Sequence, residues 1–132
     1  MSLAETTSTD LLSLEVPLDA AHILTVRLFA GGAAGPLQLG VEAADVLRLT
    51  LSEICSEAIE RRRGGRLVIE ILADAGSIRV LVVATGARGE KIHTDPTGDG
   101  KFRRTLIEAL VPDAKFVEEP DRWTAAFTLR PH

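Results

Sequence analysis

The sequence has little cysteine and few aromatic residues. Its 132 residues include one Cys, one Trp, four Phe and no Tyr. A single cysteine excludes an intramolecular disulfide framework, and three scattered histidines exclude the usual zinc-finger ligand sets. The chain is nevertheless long enough to bury one hydrophobic core without such supports. We therefore predict a single cytoplasmic domain over residues 11–132, preceded by a disordered tail at residues 1–10.

The sequence also lacks an excess of basic residues and any long apolar run. It carries 15 Lys and Arg against 19 Asp and Glu, which gives a formal net charge of −4. Direct binding of nucleic acid is disfavoured, because phosphate contacts need a basic surface. No apolar run approaches the roughly 20 residues that a membrane span requires. The composition predicts a soluble protein that binds neither nucleic acid nor membrane.

Hydrophobic periodicity predicts three elements in the first half of the chain. Residues 11–18 alternate like a strand, and Pro17 favours an edge position because proline cannot donate to a ladder. A first helix then begins after Asp19 and ends at Gly31 and Gly32. A second helix over residues 41–63 has apolar residues at steps of three and four, and it is predicted to end at the glycine pair that follows.

The second half of the chain reads as two hairpins with a helix between them. Residues 66–73 and 77–84 form the first hairpin, residues 101–111 the helix, and residues 114–118 and 122–130 the second hairpin. Residues 85–100 are rich in glycine and poor in apolar residues, which is typical of a functional lid. The order predicts an α+β fold, a two-layer sandwich in which three helices cover one face of a mixed, mostly antiparallel sheet.

Glu53, Glu57 and Glu60 are spaced by four and three residues, so they share one strip of the second helix. One interpretation is a solvated face. The other is a cleft wall on which one glutamate acts as a base and another as a magnesium ligand. Gly98 and Gly100 precede the third helix, where they either expose N–H groups to a phosphate or form an ordinary turn.

Other residue types that often carry chemistry favour structural roles here. Cys55 follows Ile54 on the mostly apolar side of the second helix, and no base is near it in the sequence, which indicates a packing residue. Trp123 is expected to anchor the sheet. No Ser-His-Asp or Cys-His arrangement can be assembled from the three histidines.

Residues 47–62, LRLTLSEICSEAIERR, resemble the conserved helix of the GHKL (Bergerat-fold, histidine-kinase-like) ATPases, and specifically that of small bacterial anti-sigma factors and serine-protein kinase regulators. That branch typically reads Ser-Glu-Ala-x-x-Asn-Ala, and this chain reads SEICSEA over residues 52–58. The order of elements over about residues 11–130 is also similar. The resemblance implies ATP and Mg²⁺ as cofactors, a sigma factor or an anti-sigma antagonist as partner, and a homodimer as one form of assembly.

The resemblance also implies roles for individual residues. Glu53 matches the general base that polarises a water or a partner's serine hydroxyl. Glu57 stands where relatives have the asparagine that holds Mg²⁺, and a carboxylate can also ligate this ion. The remaining nucleotide-binding positions are Thr85, Gly86, Gly98 and Gly100.

One expected anchor for adenine is missing. Ala84 stands where relatives have an aspartate that accepts a hydrogen bond from the adenine amino group, and a methyl group cannot accept one. An unpaired buried donor costs about 1–3 kcal/mol. Glu57 also adds a negative charge beside a polyphosphate. We therefore predict a protein-binding regulator with a weakened or lost ATP site. An active ATP-dependent serine kinase, with Thr85 contacting adenine, and an unrelated α+β scaffold remain open alternatives.

Overall fold

The computed structural model describes residues 10–74, 76–89 and 99–130. The elements follow the predicted order: β1 (Asp10–Pro17), α1 (Ile23–Ala33), α2 (Val41–Arg61), β2 (Arg62–Asp74), β3 (Ser77–Arg88), α3 (Asp99–Leu110), β4 (Lys115–Glu118) and β5 (Arg122–Leu129). A 3-10 turn at Ala20–His22 leads into α1, and Asp19 caps this turn by accepting from the Ala21 N–H. Of the predicted tail at residues 1–10, only Asp10 lies within the described residues, and it belongs to β1.

The five strands form one sheet in the order β1-β2-β3-β5-β4. All four pairings are antiparallel. The predicted α+β class with a mostly antiparallel sheet is therefore confirmed, and no parallel pair occurs among the described strands. β1 lies at one edge, as Pro17 predicted, because an edge strand leaves one side without ladder partners.

The three helices cover one face of this sheet. α2 lies over β2, β3 and β5, and α1 and α3 pack on its two sides. Alternation along the strands turns one set of apolar side chains towards the helices, including Ile69, Val82 and Trp123, all at most 1% exposed. Each such side chain contributes roughly 1.5–3 kcal/mol by leaving water. No described helix has both the length and the apolar character needed to pass through a bilayer.

Glycine pairs were interpreted wrongly at two places in the sequence. α1 continues through Gly31 and Gly32 to Ala33, because the burial of Ala30 and Ala33 supports the helix where the glycines weaken it. α2 ends at Arg61 rather than at residue 63, since Arg62 already has extended backbone angles. The next glycine pair therefore lies in β2 and does not cap the helix.

That second pair forms an irregularity in the β2–β3 pairing. The register shifts between Gly64 and Leu67. Gly64 has φ +74°, and a Cβ on Gly65 would lie 2.1 Å from the Thr85 carbonyl oxygen. Glycine is needed at both positions, for its left-handed angle at one and for its missing side chain at the other.

The irregularity lets the hairpin continue further than predicted. β3 runs on to Arg88, which pairs with Arg62, so residues 85–88 of the predicted lid belong to a strand. α3 begins at Asp99, two residues before the predicted start. The central part of the predicted lid, residues 90–98, lies outside the described residues.

Candidate functional site

The structure places the three spaced glutamates of α2 on the side that faces α3. We call Glu53, Glu57 and Glu60 the carboxylate strip. α3 brings two consecutive arginines, Arg103 and Arg104, to this strip. The strip is therefore neither a freely solvated face nor an open cleft wall, because guanidinium groups from a second helix contact all three carboxylates.

Glu57 is the most enclosed member of the strip. Its side chain is 8% exposed. Arg61, one turn further along α2, donates from Nε to Glu57 Oε2 at 2.8 Å. Arg104 donates from Nη2 to the same oxygen at 2.5 Å and from Nε to Oε1 at 3.4 Å. Charge-assisted hydrogen bonds of this kind are stronger than neutral ones, so the buried carboxylate is compensated by two guanidinium groups.

Arg104 also contacts the sheet. Its guanidinium lies over the ring of Phe116 on β4, 3.8 Å from the ring centroid. Phe116 in turn packs against Trp123, with their ring centroids 5.9 Å apart. A guanidinium on an aromatic face gains a cation–π attraction. The side chain of Arg104 thus connects α3 with both α2 and β4.

Arg103 contacts the two outer members of the strip. It donates from Nη1 and Nη2 to the two oxygens of Glu60 at 3.0 and 3.2 Å. Its Nε lies 3.4 Å from Glu53 Oε1, an ion pair without hydrogen-bond alignment. Burial by itself lowers the pKa of Arg103, but the hydrogen bonds to Glu60 and the charges of all three glutamates together raise it above its usual value.

The surroundings of Glu57 do not fit a magnesium site as they stand. Magnesium needs near-octahedral oxygen ligands. Among the described residues, no three His, Cys, Asp or Glu side chains are grouped so that they could hold a metal ion. Two guanidinium groups already hold the Glu57 carboxylate, and their positive charges would repel a divalent cation.

Ala84 lies on the inner face of β3, between Leu67 on β2 and Trp123 on β5. It is fully buried. Its methyl group packs in the core and offers no hydrogen-bond acceptor. At this position the described chain has no side-chain group that could pair with the amino group of an adenine.

Thr85 and Gly86 support the β2–β3 hairpin. The Thr85 hydroxyl accepts from the Arg66 N–H at 2.9 Å, across the irregular stretch of the pairing. Gly86 has φ +113°, and a Cβ there would lie 2.4 Å from the Arg63 carbonyl oxygen. Their nucleotide-binding roles stay predictions. Gly98 lies outside the described residues, and Gly100 lies in the first turn of α3.

Arg62 is a further residue that the sequence does not single out. Its side chain is fully buried between the end of β3 and the β4–β5 turn. Its hydrogen-bond acceptors are the carbonyl oxygens of Gly86 (3.2 Å), Pro120 (3.1 Å), Arg122 (2.8 Å) and Glu119, and the carboxylate of Glu118 (3.0 Å). We call these residues the Arg62 cluster. No sequence signal distinguishes this arginine from its two neighbours.

No protein-family model matches the sequence, and no curated protein matches it. The structure is similar to the crystal structure of the RsbU and RsbW domains of Rv1364c from Mycobacterium tuberculosis, with a TM-score of 0.72 and 18% identity. The similarity covers 92% of this chain and 32% of that one, so the chain spans about a third of its neighbour's length. The chain therefore shares its fold with part of the RsbU–RsbW structure, and the α+β fold implied by the GHKL resemblance is confirmed.

Proposed function

We propose that this domain is a cytoplasmic regulator of the anti-sigma type. It acts by binding a sigma factor or an anti-sigma antagonist, and it does not use ATP. The shared fold and the resemblance of residues 47–62 to the anti-sigma helix support the class of protein. The proposed loss of ATP use is argued from the contacts that Glu57 makes within the site.

A single observation carries the loss of ATP use. The carboxylate of Glu57, which the resemblance makes the metal ligand, is buried and held by Arg61 and Arg104. A magnesium ion would have to displace both guanidinium groups to ligate Oε2, and ligation through Oε1 would place it directly beside their positive charges. The burial of Ala84 adds to the argument, because a base entering there would leave its amino group unpaired.

An ATP-dependent serine kinase is the second candidate function. It is favoured by Glu53, the retained general base, whose side chain is 30% exposed. A water or a partner's hydroxyl can therefore still approach this carboxylate. Its ion pair with Arg103, however, does not provide a site for the phosphates.

Calorimetric titration of the whole chain with Mg-ATP and with Mg-ADP tests the loss of the site. We expect no binding at micromolar protein and millimolar nucleotide. Glu57→Ala and Glu70→Ala form a matched pair, since Glu70 is an exposed carboxylate on β2 that faces away from the helices. Micromolar binding that disappears in Glu57→Ala and persists in Glu70→Ala would overturn the proposal and favour the kinase.

The partner class has its own test. The chain can be titrated against the sigma factors and the anti-sigma antagonists encoded in the same genome, with and without nucleotide. We expect one of them to bind with an affinity that nucleotide does not change. If none of them binds, the proposed partner class is wrong, whatever the result with ATP.

The face of the sheet without helices supports a homodimer as part of the proposal. A groove of about 480 Å³ lies there. Its apolar lining includes Leu11, Leu72, Leu81 and Ala126, and its charged lining is Glu70, Asp113, Arg79 and Lys115. Because two acidic and two basic groups share one patch, the patch can pair with a copy of itself across a two-fold axis.

Sedimentation of the chain with Leu81→Asp tests this interface. Leu81 lies in the groove and is 38% exposed, while Leu49 on α2 has a similar exposure of 42% on the opposite layer. We expect the wild type and Leu49→Asp to be dimers and Leu81→Asp to be a monomer. A monomeric wild type, or a dimer that survives Leu81→Asp, would contradict the assignment.

A further inference from the structure

α3 is held to the rest of the domain by few buried apolar side chains, with Val111 buried directly after the helix, and by ion pairs with α2. Ile107 is its only fully buried apolar side chain among those that the structure describes, and Phe102 on the same helix is 67% exposed. A helix of this length normally depends on a buried apolar face for its position. The ion pairs of Arg103 and Arg104 therefore add to a small apolar contact between α3 and the rest of the domain.

We propose that Arg103 and Arg104 are positioning residues that form an electrostatic latch, which holds α3 over the carboxylate strip of α2 without any bound ligand. The latch itself is argued from these contacts, and only its independence of nucleotide rests on the proposed loss of nucleotide binding. It adds a regulatory consequence: the arrangement of α2 and α3 responds to ionic strength and is independent of nucleotide.

The three carboxylates of the strip are matched by three guanidinium groups, of which Arg61 is shared with Glu118. The strip supplies three carboxylates, and Arg61, Arg103 and Arg104 supply three guanidinium groups. Two of these arginines come from α3, so undocking α3 leaves the strip with a single guanidinium partner from its own helix. Like charges spaced three and four residues apart on one helix repel each other, which opposes undocking.

The two arginines form the two parts of the latch. Arg104 is the enclosed part, since it contacts the buried Glu57 on one side and the Phe116 ring on the other. Arg103 is itself only 14% exposed, but it forms the outer part because its partner Glu60 is 55% exposed. The outer pair is open to screening by salt, whereas the enclosed pair is screened much less. Rising ionic strength should therefore loosen the latch from its outer edge.

Charge reversal of the outer pair, followed by amide hydrogen exchange of the full chain without nucleotide, tests the latch. We expect Arg103→Glu and Glu60→Arg each to accelerate exchange in α3 about tenfold, with little change in β2 and β3. The double reversal should recover most of the protection, because it restores an opposite-charge pair. Arg130→Glu, at an exposed arginine that follows β5 and lies in neither the strip nor the groove, is the matched control and should leave α3 unchanged.

Two measurements keep the test decisive if a reversed variant unfolds. Arg103→Gln removes the charge with less disturbance and should shift α3 exchange in the same direction by a smaller factor. In the wild type, raising NaCl from about 50 mM to about 1 M should accelerate exchange in α3 selectively. Unchanged α3 exchange in both measurements, or no recovery in the double reversal, would overturn the latch.

The latch and the proposed function can fail separately. Nucleotide binding in calorimetry, combined with the expected exchange pattern, would refute the loss of the ATP site and leave the latch as the resting state of α3. If no nucleotide binds, and if hydrogen exchange in α3 is the same in the Arg103 variants and at high salt, then the latch alone is refuted.

Discussion

Replacing Arg62 with methionine should destabilise the domain strongly. Methionine keeps the apolar stem but removes a guanidinium that donates to four carbonyl oxygens and to the Glu118 carboxylate. Removing one partner of a buried ion pair costs about 3–5 kcal/mol, because the other groups stay behind without compensation. Water can reach some of these acceptors at the β4–β5 turn, so we expect the lower half of that range.

The loss is large against the stability of a small domain. Unfolding free energies of about 5–15 kcal/mol are usual, so the variant should lose a substantial fraction of its total. The melting temperature should fall on the order of 10 °C. Urea unfolding is a suitable assay, because the single tryptophan, Trp123, is buried in the core and reports unfolding by fluorescence. The urea midpoint should fall while the slope stays the same.

Arg63→Met is the matched control. Arg63 is the next residue on β2 and is exposed, so its replacement should change the free energy of unfolding by no more than about 0.5 kcal/mol. If Arg62→Met and Arg63→Met have the same midpoint, the Arg62 cluster does not hold the β4–β5 turn to the end of β3.

Three further predictions concern the core and the β2–β3 hairpin. Burial raises the pKa of the Cys55 thiol to about 12, so a maleimide at pH 8 should label it only after unfolding. Burial of the neutral thiol should contribute fully to the free energy of unfolding below about pH 9, and this contribution should be lost as the pH rises towards 12. Labelling of the native chain would contradict the burial of Cys55. Gly86→Ala should cost more than about 2 kcal/mol in urea unfolding, through strain and a clash, and Gly76→Ala, which shares the positive φ but has open space, should cost clearly less. Thr85→Val should cost no more than about 1 kcal/mol, because it removes an exposed hydrogen bond that water can replace at the Arg66 N–H; a loss well above this would contradict the exposure of that bond.

The elements that could be predicted from the sequence are those with a periodic apolar pattern. Leu47, Leu51, Ile54 and Ala58 recur at helical spacing, and all four are fully buried. The alternation that defined both hairpins likewise gives the inner face of the sheet. These patterns are local, since the spacing along the chain alone decides which side chains share a face. The burial of Trp123 is confirmed for the same reason.

Glycine positions could not be predicted correctly, because the same residues suit several backbone conformations. Gly64 and Gly65 follow an arginine-rich helix end, which is the usual context of a helix cap. Their role is decided by β3, which approaches so closely that a side chain on Gly65 would clash with it. This close contact of β3 with Gly65 results from strand pairing across the hairpin, and no pattern within residues 60–66 predicts it.

The strip was predicted to be either solvated or part of a cleft, and the structure shows a third arrangement. Its partners Arg103 and Arg104 lie 43 and 47 residues further along the chain than Glu60 and Glu57. From the sequence alone, these arginines could be solvent-exposed residues of a short helix or ligands for a phosphate. Only the packing of α3 against α2 shows that both arginines are already paired with carboxylates of the strip.

The contacts of Arg103 and Arg104 also explain why this basic pair need not bind a phosphate. Arg104 uses Nε and Nη2 on Glu57, and Arg103 uses both terminal nitrogens on Glu60. A phosphate that took the nitrogens now donating to Glu57 and Glu60 would displace a carboxylate, so it would exchange one charge-assisted pair for another of similar strength. The displaced Glu57 would then remain buried beside a second anion, which costs further free energy. Glu57, at the position where the GHKL resemblance implies an asparagine, thus has two effects: it supplies an anion that the arginines hold, and it opposes the entry of another anion.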